Sequence, residues 1–387
     1  FTYNVGGHNT FVIRGGSGIY FASPVSNVTF SPQLYSQLVS AQFVNTGQPD
    51  FITNPTGGIT AAQIFSGAVK LPIQTVRTIA PDFKLPYTWQ SSIGFQQQIN
   101  DVTGFDIDFT HWTEYRDTRT IDANLEYNSA TGYDVSNGAN PVRPNPAYGP
   151  VYVFTSDGKR DQTAIATSVT RRLKRRLQAG LTYTLMLEMK DNGAIGYGAM
   201  TANNPFDYLN GEWATSQDFQ RNTVRLWGLV QLPYGFDASA SYFYGSGNRF
   251  PDSIATAPYG KTGTNRLNLT ATGGATSAIV IPAAILSRWD GPAFINSGDV
   301  IPRNALEGLP LHKVDVHVTK TVALSRTVKG QFIAEVFNVF NHANYGSYNT
   351  TLSATSPATT ALFGTPLQNT GNAYVPREGQ LAFRLTF

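Results

Sequence analysis

Along much of the chain, apolar and polar residues alternate one for one. In the last ten residues, 378–387, Leu381, Phe383, Leu385 and Phe387 fall on one parity, and Gln380, Ala382, Arg384 and Thr386 on the other. An extended strand turns successive side chains to opposite faces, so this segment has an apolar face and a polar one. The pattern recurs upstream. Val314, Val316 and Val318 oppose Lys313, Asp315 and His317; Phe105, Ile107 and Phe109 oppose Asp106, Asp108 and Thr110. Gln331 and Glu335 share one parity, and Tyr87, Trp89, Ile93, Phe95 and Ile99 form another apolar series. In 177–188 the apolar series Leu177, Ala179, Leu181, Tyr183, Leu185 and Leu187 is clean on one parity, with Met186 the apolar intruder on the other. The stretch 161–173 shows no clean face. A single strand of this kind suits a soluble sandwich as well as a membrane barrel, whose outer face meets lipid and whose inner face meets water.

The connections separate the two. The pattern predicts about eleven strands, at 1–5, 10–21, 87–99, 104–116, 161–173, 176–188, 222–232, 236–245, 311–322, 328–340 and 378–387. Between them, short turns and long Pro-, Asn-, Gly- and Thr-rich stretches alternate without exception. Outer-membrane barrels have short periplasmic turns and long extracellular loops. Structureless connections of this length count against a compact soluble domain. The fold class expected is therefore all-β: an antiparallel transmembrane β-barrel with Phe387 at the periplasmic side and the long loops outside. Single-chain bacterial barrels have even strand counts. About eleven strands, with no signal peptide ahead of them, lead to the expectation that 1–387 is the C-terminal part of a larger barrel.

Composition sharpens this picture. Charged residues are 14% and aromatics 12%, with 36 Gly and no Cys. Soluble domains carry roughly 25% charged residues. No apolar run reaches the roughly 18 residues of a membrane helix. The absence of Cys removes disulfides, thiolate metal sites and Cys nucleophiles. A net charge of +3 gives no footprint for nucleic acid. The basic cluster Leu173–Leu177 is of the kind that binds nucleic acid or anionic lipid, but it falls on a predicted periplasmic turn, where it reads as a solvated cap.

Several segments resemble the C-terminal barrel of TonB-dependent outer-membrane receptors, in particular the Oar-like group. They are FVIRGGSGIYF at 11–21, KLPYTWQSSIGFQQQI at 84–99, NPFDYLNGEWATSQDFQRN at 204–222 and VQLPYGF at 230–236. More specific are PRNALEGLPLHKVDVHVTKT at 302–321 and FIAEVFNVFNHANYG at 332–346, ahead of the terminal strand. The resemblance implies a 22-stranded barrel around an N-terminal plug, a periplasmic segment engaging the TonB complex, and active uptake of a bulky solute such as a siderophore or glycan. It leaves the direction of transport open, since Oar-like members are also associated with export and surface roles. It further implies that Leu381, Phe383, Leu385 and Phe387 form the signal read by the barrel-assembly machinery.

No catalytic constellation stands out, and neither an enzyme activity nor a cofactor is expected. The five histidines lack zinc spacing, and His312 and His317 point to opposite faces of one strand. Asp106, Asp108, Lys313, Asp315, His317, Gln331, Glu335 and Arg384 are expected to face the lumen. Paired carboxylates there serve either acid–base work or, more simply, ladders of hydrogen bonds with neighbouring strands or the plug. Function is better sought in the loops. Tyr197, Tyr208, Trp213, Trp289, Tyr345 and Tyr348 stand among small polar residues. They suit capture of a large solute or glycan at the rim, or else belong to the aromatic girdle that every barrel carries. The partners expected are outer-membrane lipid, the assembly machinery, the TonB complex through a missing N-terminal part, and the solute. A non-transporting surface protein that uses its loops for adhesion is the alternative. A soluble propeller would need a repeat of blade length, and none is found.

Overall fold

The computed structural model describes residues 1–7, 10–22, 26–37, 45, 47–69, 73–124, 142–192, 212–255, 266–269, 276–367 and 374–387. Eleven strands lie side by side in chain order: β1 (Thr2–Asn4), β2 (Phe11–Phe21), β3 (Tyr87–Asn100), β4 (Thr103–Asp122), β5 (Tyr148–Lys174), β6 (Leu177–Asp191), β7 (Asn222–Leu232), β8 (Phe236–Gly245), β9 (Leu311–Ala323), β10 (Lys329–Phe337) and β11 (Glu378–Thr386). Each pairs antiparallel with the next. The sheet is open, with β1 at one edge and β11 at the other among the described residues. No described helix is long and apolar enough to cross a membrane.

The expected alternation of faces holds over most of the sheet. Leu181, Leu226 and Tyr242 lie in one register row, and Leu226 is 46% exposed. Phe332 faces Phe383 across β10 and β11, their rings 4.8 Å apart, yet both remain more than half exposed. An apolar face of this extent without a protein cover has lipid as its solvent.

Turn chemistry explains the short ends. Between β5 and β6 only Arg175 and Arg176 intervene, both at positive φ (51° and 69°). That geometry matches the twist of a two-residue hairpin, although Gly and Asn adopt it more cheaply than Arg. The Lys174 Nζ lies 3.6 Å from Asp101 on the neighbouring turn.

Two expectations need correction. First, β4 and β5 extend well past their predicted limits, to Asp122 and back to Tyr148. Their extra length pairs together, as in Arg119↔Thr155 and Ile121↔Val153. A further strand, Gln74–Ile79, runs parallel along the other edge of β5. Phe154 between them is fully buried, so this region is not a lipid–lumen wall and the two-face rule lapses there. Second, the long loops are not structureless. Ile254, Ile279, Ile281, Ile285, Ile295, Ile301, Leu306, Leu352 and Phe363, drawn from 246–310 and 338–377, form a hydrophobic core of their own. Ser253–Ile254 and Thr351–Leu352 pair in parallel to join these two loops. The buried core of the molecule thus sits in a cap at the loop end of the sheet.

Candidate functional site

The polar face of the wall is knitted by cross-strand pairs. Arg14 on β2, Gly94 on β3 and Asp108 on β4 occupy one register row. A Cβ at Gly94 would lie 1.9 Å from the Asp108 Oδ1. Glycine therefore lets Arg14 reach across an entire strand, its Nη2 donating to Asp108 Oδ2 at 2.7 Å, with Asp106 at 3.8 Å. On the later strands Lys313 Nζ lies 2.8 Å from Asp315. His317 Nδ1 and Glu335 Oε1 are 2.7 Å apart, and Gln380 donates to the other Glu335 oxygen. Gln331 donates to Thr321 at 3.4 Å, and Arg384 is its register partner on β11. The expected polar residues therefore share one face, and the carboxylates are held in ladders. Solvent screens these part-exposed pairs, so the ladders set side-chain positions more than stability.

The loop aromatics divide. Tyr197 and Tyr208 lie outside the described residues. Trp213 is 37% exposed, with Lys159 Nζ 4.8 Å from its ring centroid. Tyr345 is half-buried against the loop core. Trp289 and Tyr348 were expected at the binding rim, and the structure places both inside the cap. Trp289 is 6% exposed, edge-on to Phe363 at 5.3 Å, and its Nε1 donates to Pro292 O at 3.0 Å. Tyr348 is 4% exposed, and its hydroxyl accepts the Leu309 N–H at 2.7 Å. Packing in the loop core, which alternation along strands does not reveal, removes both from a binding surface.

A buried ionic network fastens the cap to the wall. Arg303 contacts Asp191 at the end of β6, and its Nε lies 3.8 Å from Glu212. Arg266 pairs with the same Glu212 and donates to Ile301 O at 2.9 Å. Asn304 donates to Thr215 O at 2.9 Å. The segments 204–222 and 302–321, noted above for their motifs, thus meet. Asp252 lies beside them, its Oδ1 accepting the Ala305 N–H at 2.9 Å. Burial pushes the Asp252 carboxyl up to about 7, against the pull of that N–H and of Arg266 and Arg303.

The motif 332–346 also acquires a role. Asn338, at φ 48°, donates its N–H to Asp315 and its side-chain N–H groups to His342 O and Val375 O. Asn344 exchanges hydrogen bonds with the backbone of His312. Asparagine tolerates the left-handed backbone and satisfies the loop at once, which clamps the end of β10 onto β9. Among the described residues, no three His, Cys, Asp or Glu side chains converge as metal ligands.

A two-faced antiparallel wall, short turns at one end and a folded loop cap at the other agree with the comparison to protein families. The model of the outer membrane beta barrel domain matches residues 1–380, and the chain belongs to that family, in the bacterial outer membrane. Structures of similar fold include the outer membrane transporter YddB from Escherichia coli (11% identity, covering 99% of this chain and 39% of that one, TM-score 0.48). Others are the ferric-catecholate import receptor Fiu from E. coli (11%, 100% and 34%, TM-score 0.42) and a mutant ferric enterobactin receptor from Pseudomonas aeruginosa (10%, 100% and 39%, TM-score 0.48). The chain spans less than two-fifths of the length of each of these proteins. The search of curated proteins found no match.

Proposed function

We propose that this chain is the barrel portion of a TonB-dependent receptor that takes up a bulky solute across the outer membrane. The observation that carries the reading is the wall itself: a charged, hydrogen-bonded face behind an apolar one, with every long connection at the same end. An inner surface lined by Asp106, Asp108, Lys313, Asp315, His317, Gln331, Glu335 and Arg384 suits passage of a hydrated solute and contact with a plug. The exposed row Leu381, Phe383, Leu385 and Phe387 suits recognition by the assembly machinery. Deleting Phe387 should then sharply reduce heat-modifiable barrel in outer-membrane fractions.

The direct test of transport is accumulation of solute by cells expressing the full-length receptor, with and without an uncoupler. Growth of a deletion strain on candidate iron chelates and glycans narrows the solute. Gradient-dependent accumulation supports the reading; its absence for every solute that binds would sink it. The fused loop core favours a second reading, a surface anchor whose cap binds a partner. In that case removing the loops should abolish adhesion while leaving solute content unchanged.

A further inference from the structure

Aromatic rings on the polar face are the exceptions to the alternation, and several gather on β7 to β10 between mid-strand and the loop end. Departures from a local rule of this kind are where function is expected to reside. Trp227 on β7 has Gly180 as its register partner on one side and Ser241 on the other, and Ser241 in turn faces Asp315. Its indole fills the space over Gly180, where a Cβ would come within 2.6 Å of the ring, and the residue is 40% exposed. One row nearer the loops, Phe243 stands in register between Arg225 and Lys313. It meets Tyr374 of the last loop edge-on, with ring centroids 5.6 Å apart. Lys313 Nζ lies 5.4 Å from the Tyr374 centroid and 5.6 Å from that of Phe337.

The formal charges around these rings cancel, Arg225 and Lys313 against Asp315 and Glu335. Lys313 is paired with Asp315 and His317 with Glu335, while the Arg225 guanidinium lies 5.4 Å from the Phe243 centroid. What the patch offers a ligand is ring surface beside the hydroxyls of Ser239 and Ser241. An anionic chelate would need an excess of cations, whereas a sugar presents C–H faces to rings and hydroxyls to polar neighbours. Phe243 and Tyr374 lie where a solute coming from the loops would first meet the wall, and Trp227 lies below them at mid-strand. We infer that Trp227, Phe243, Phe337 and Tyr374 form a stacking site for a neutral oligosaccharide that runs from the mouth of the lumen to mid-wall. The inference rests on the transport reading in taking the polar face as the lumen.

The test uses the full-length receptor in detergent, titrated with cellohexaose, maltohexaose and xylohexaose, and with hexagalacturonate as the anionic control. At least one neutral hexaose should bind, with an affinity insensitive to ionic strength. Trp227→Ala and Phe243→Ala should each weaken it about tenfold, the scale of one lost stacking contact, while heat-modifiability stays intact. The inference is overturned if no neutral hexaose binds, if Trp227→Ala keeps full affinity, or if only hexagalacturonate binds and salt abolishes it. A Phe243→Cys thiol shielded in the intact receptor, with no hexaose bound, gives the patch to the plug and also overturns it. Hexaose binding without gradient-dependent accumulation would leave the site standing and remove the transport reading. Gradient-dependent uptake of some other solute, indifferent to Trp227→Ala, would do the reverse.

Discussion

Replacing Trp289 separates the cap from the wall. The side chain is 6% exposed, packs edge-on to Phe363, lies over Gly291 and donates a hydrogen bond to Pro292 O. Truncating a buried Trp to Ala costs roughly 3–5 kcal/mol in lost burial and residual cavity. None of that loss falls on the strands, because Trp289 packs within the loop core. Opening of the cap should therefore become about a hundredfold to a few thousandfold more frequent. The assay is amide hydrogen exchange on the full-length receptor in vesicles, followed through peptides from 276–310 and 338–367. Peptides from β7 to β9 should keep their protection, and heat-modifiability should not change. Unaltered exchange in the cap, or loss of the folded barrel, would refute the assignment of Trp289 to a separate core. Trp227→Ala serves as the control, since it should leave cap exchange untouched.

Gly94→Ala places a methyl where Asp108 Oδ1 now lies, so it should break the Arg14–Asp108 pair at a cost of about 1 kcal/mol or less. Combined with Arg14→Gln in urea titrations, the two losses should overlap; strict additivity would contradict the shared row. Asp252 holds its proton up to about pH 7 in the folded cap, against an ordinary value of 3.8. The opened cap releases that proton first, so cap stability should be greatest below about pH 4, fall as pH rises toward 7, and level off above. Asp252→Asn should flatten this exchange profile, and a profile unchanged in the variant would remove the role. For topology, Ser297→Cys should react with an impermeant maleimide on intact cells, and Ser325→Cys only once the outer membrane is opened. Reversed labelling would invert the placement of the loops.

The wall was legible in the sequence because lipid and water impose period-two patterning on each strand. β7 and β8 run from Asn222 to Leu232 and from Phe236 to Gly245, as alternation and turns indicate. Legibility fails where those two solvents no longer set the faces. In the extension of β5 back to Tyr148, Val151, Tyr152, Val153 and Phe154 are apolar on both parities and none is exposed, so no alternation marks it. Met186 keeps the register of Leu185 and Thr184 and stands on the polar face; the register shifts just beyond it, where Thr163 faces Glu188 and Ala164 faces Met186, leaving Leu187 as the extra residue. The burial of Trp289 and Tyr348 depends on contacts between loops far apart in sequence, which no local pattern records. The patch around Trp227 did leave a signal, an aromatic series on the charged parity. Its meaning required the register that sets Trp227 beside Gly180 and Phe243 beside Lys313.

The most direct measurement of the two-faced wall is a nitroxide scan along β9 in the full-length receptor reconstituted in lipid vesicles. Labels placed singly at 313 to 318 are read for collision with oxygen, which partitions into lipid, and with a water-soluble nickel chelate. Oxygen accessibility should peak at Val314, Val316 and Val318, and nickel accessibility at Lys313, Asp315 and His317, the two profiles in antiphase with a period of two. Profiles in phase, or nickel maxima at the valines, would contradict a wall with lipid on one face and an aqueous lumen on the other.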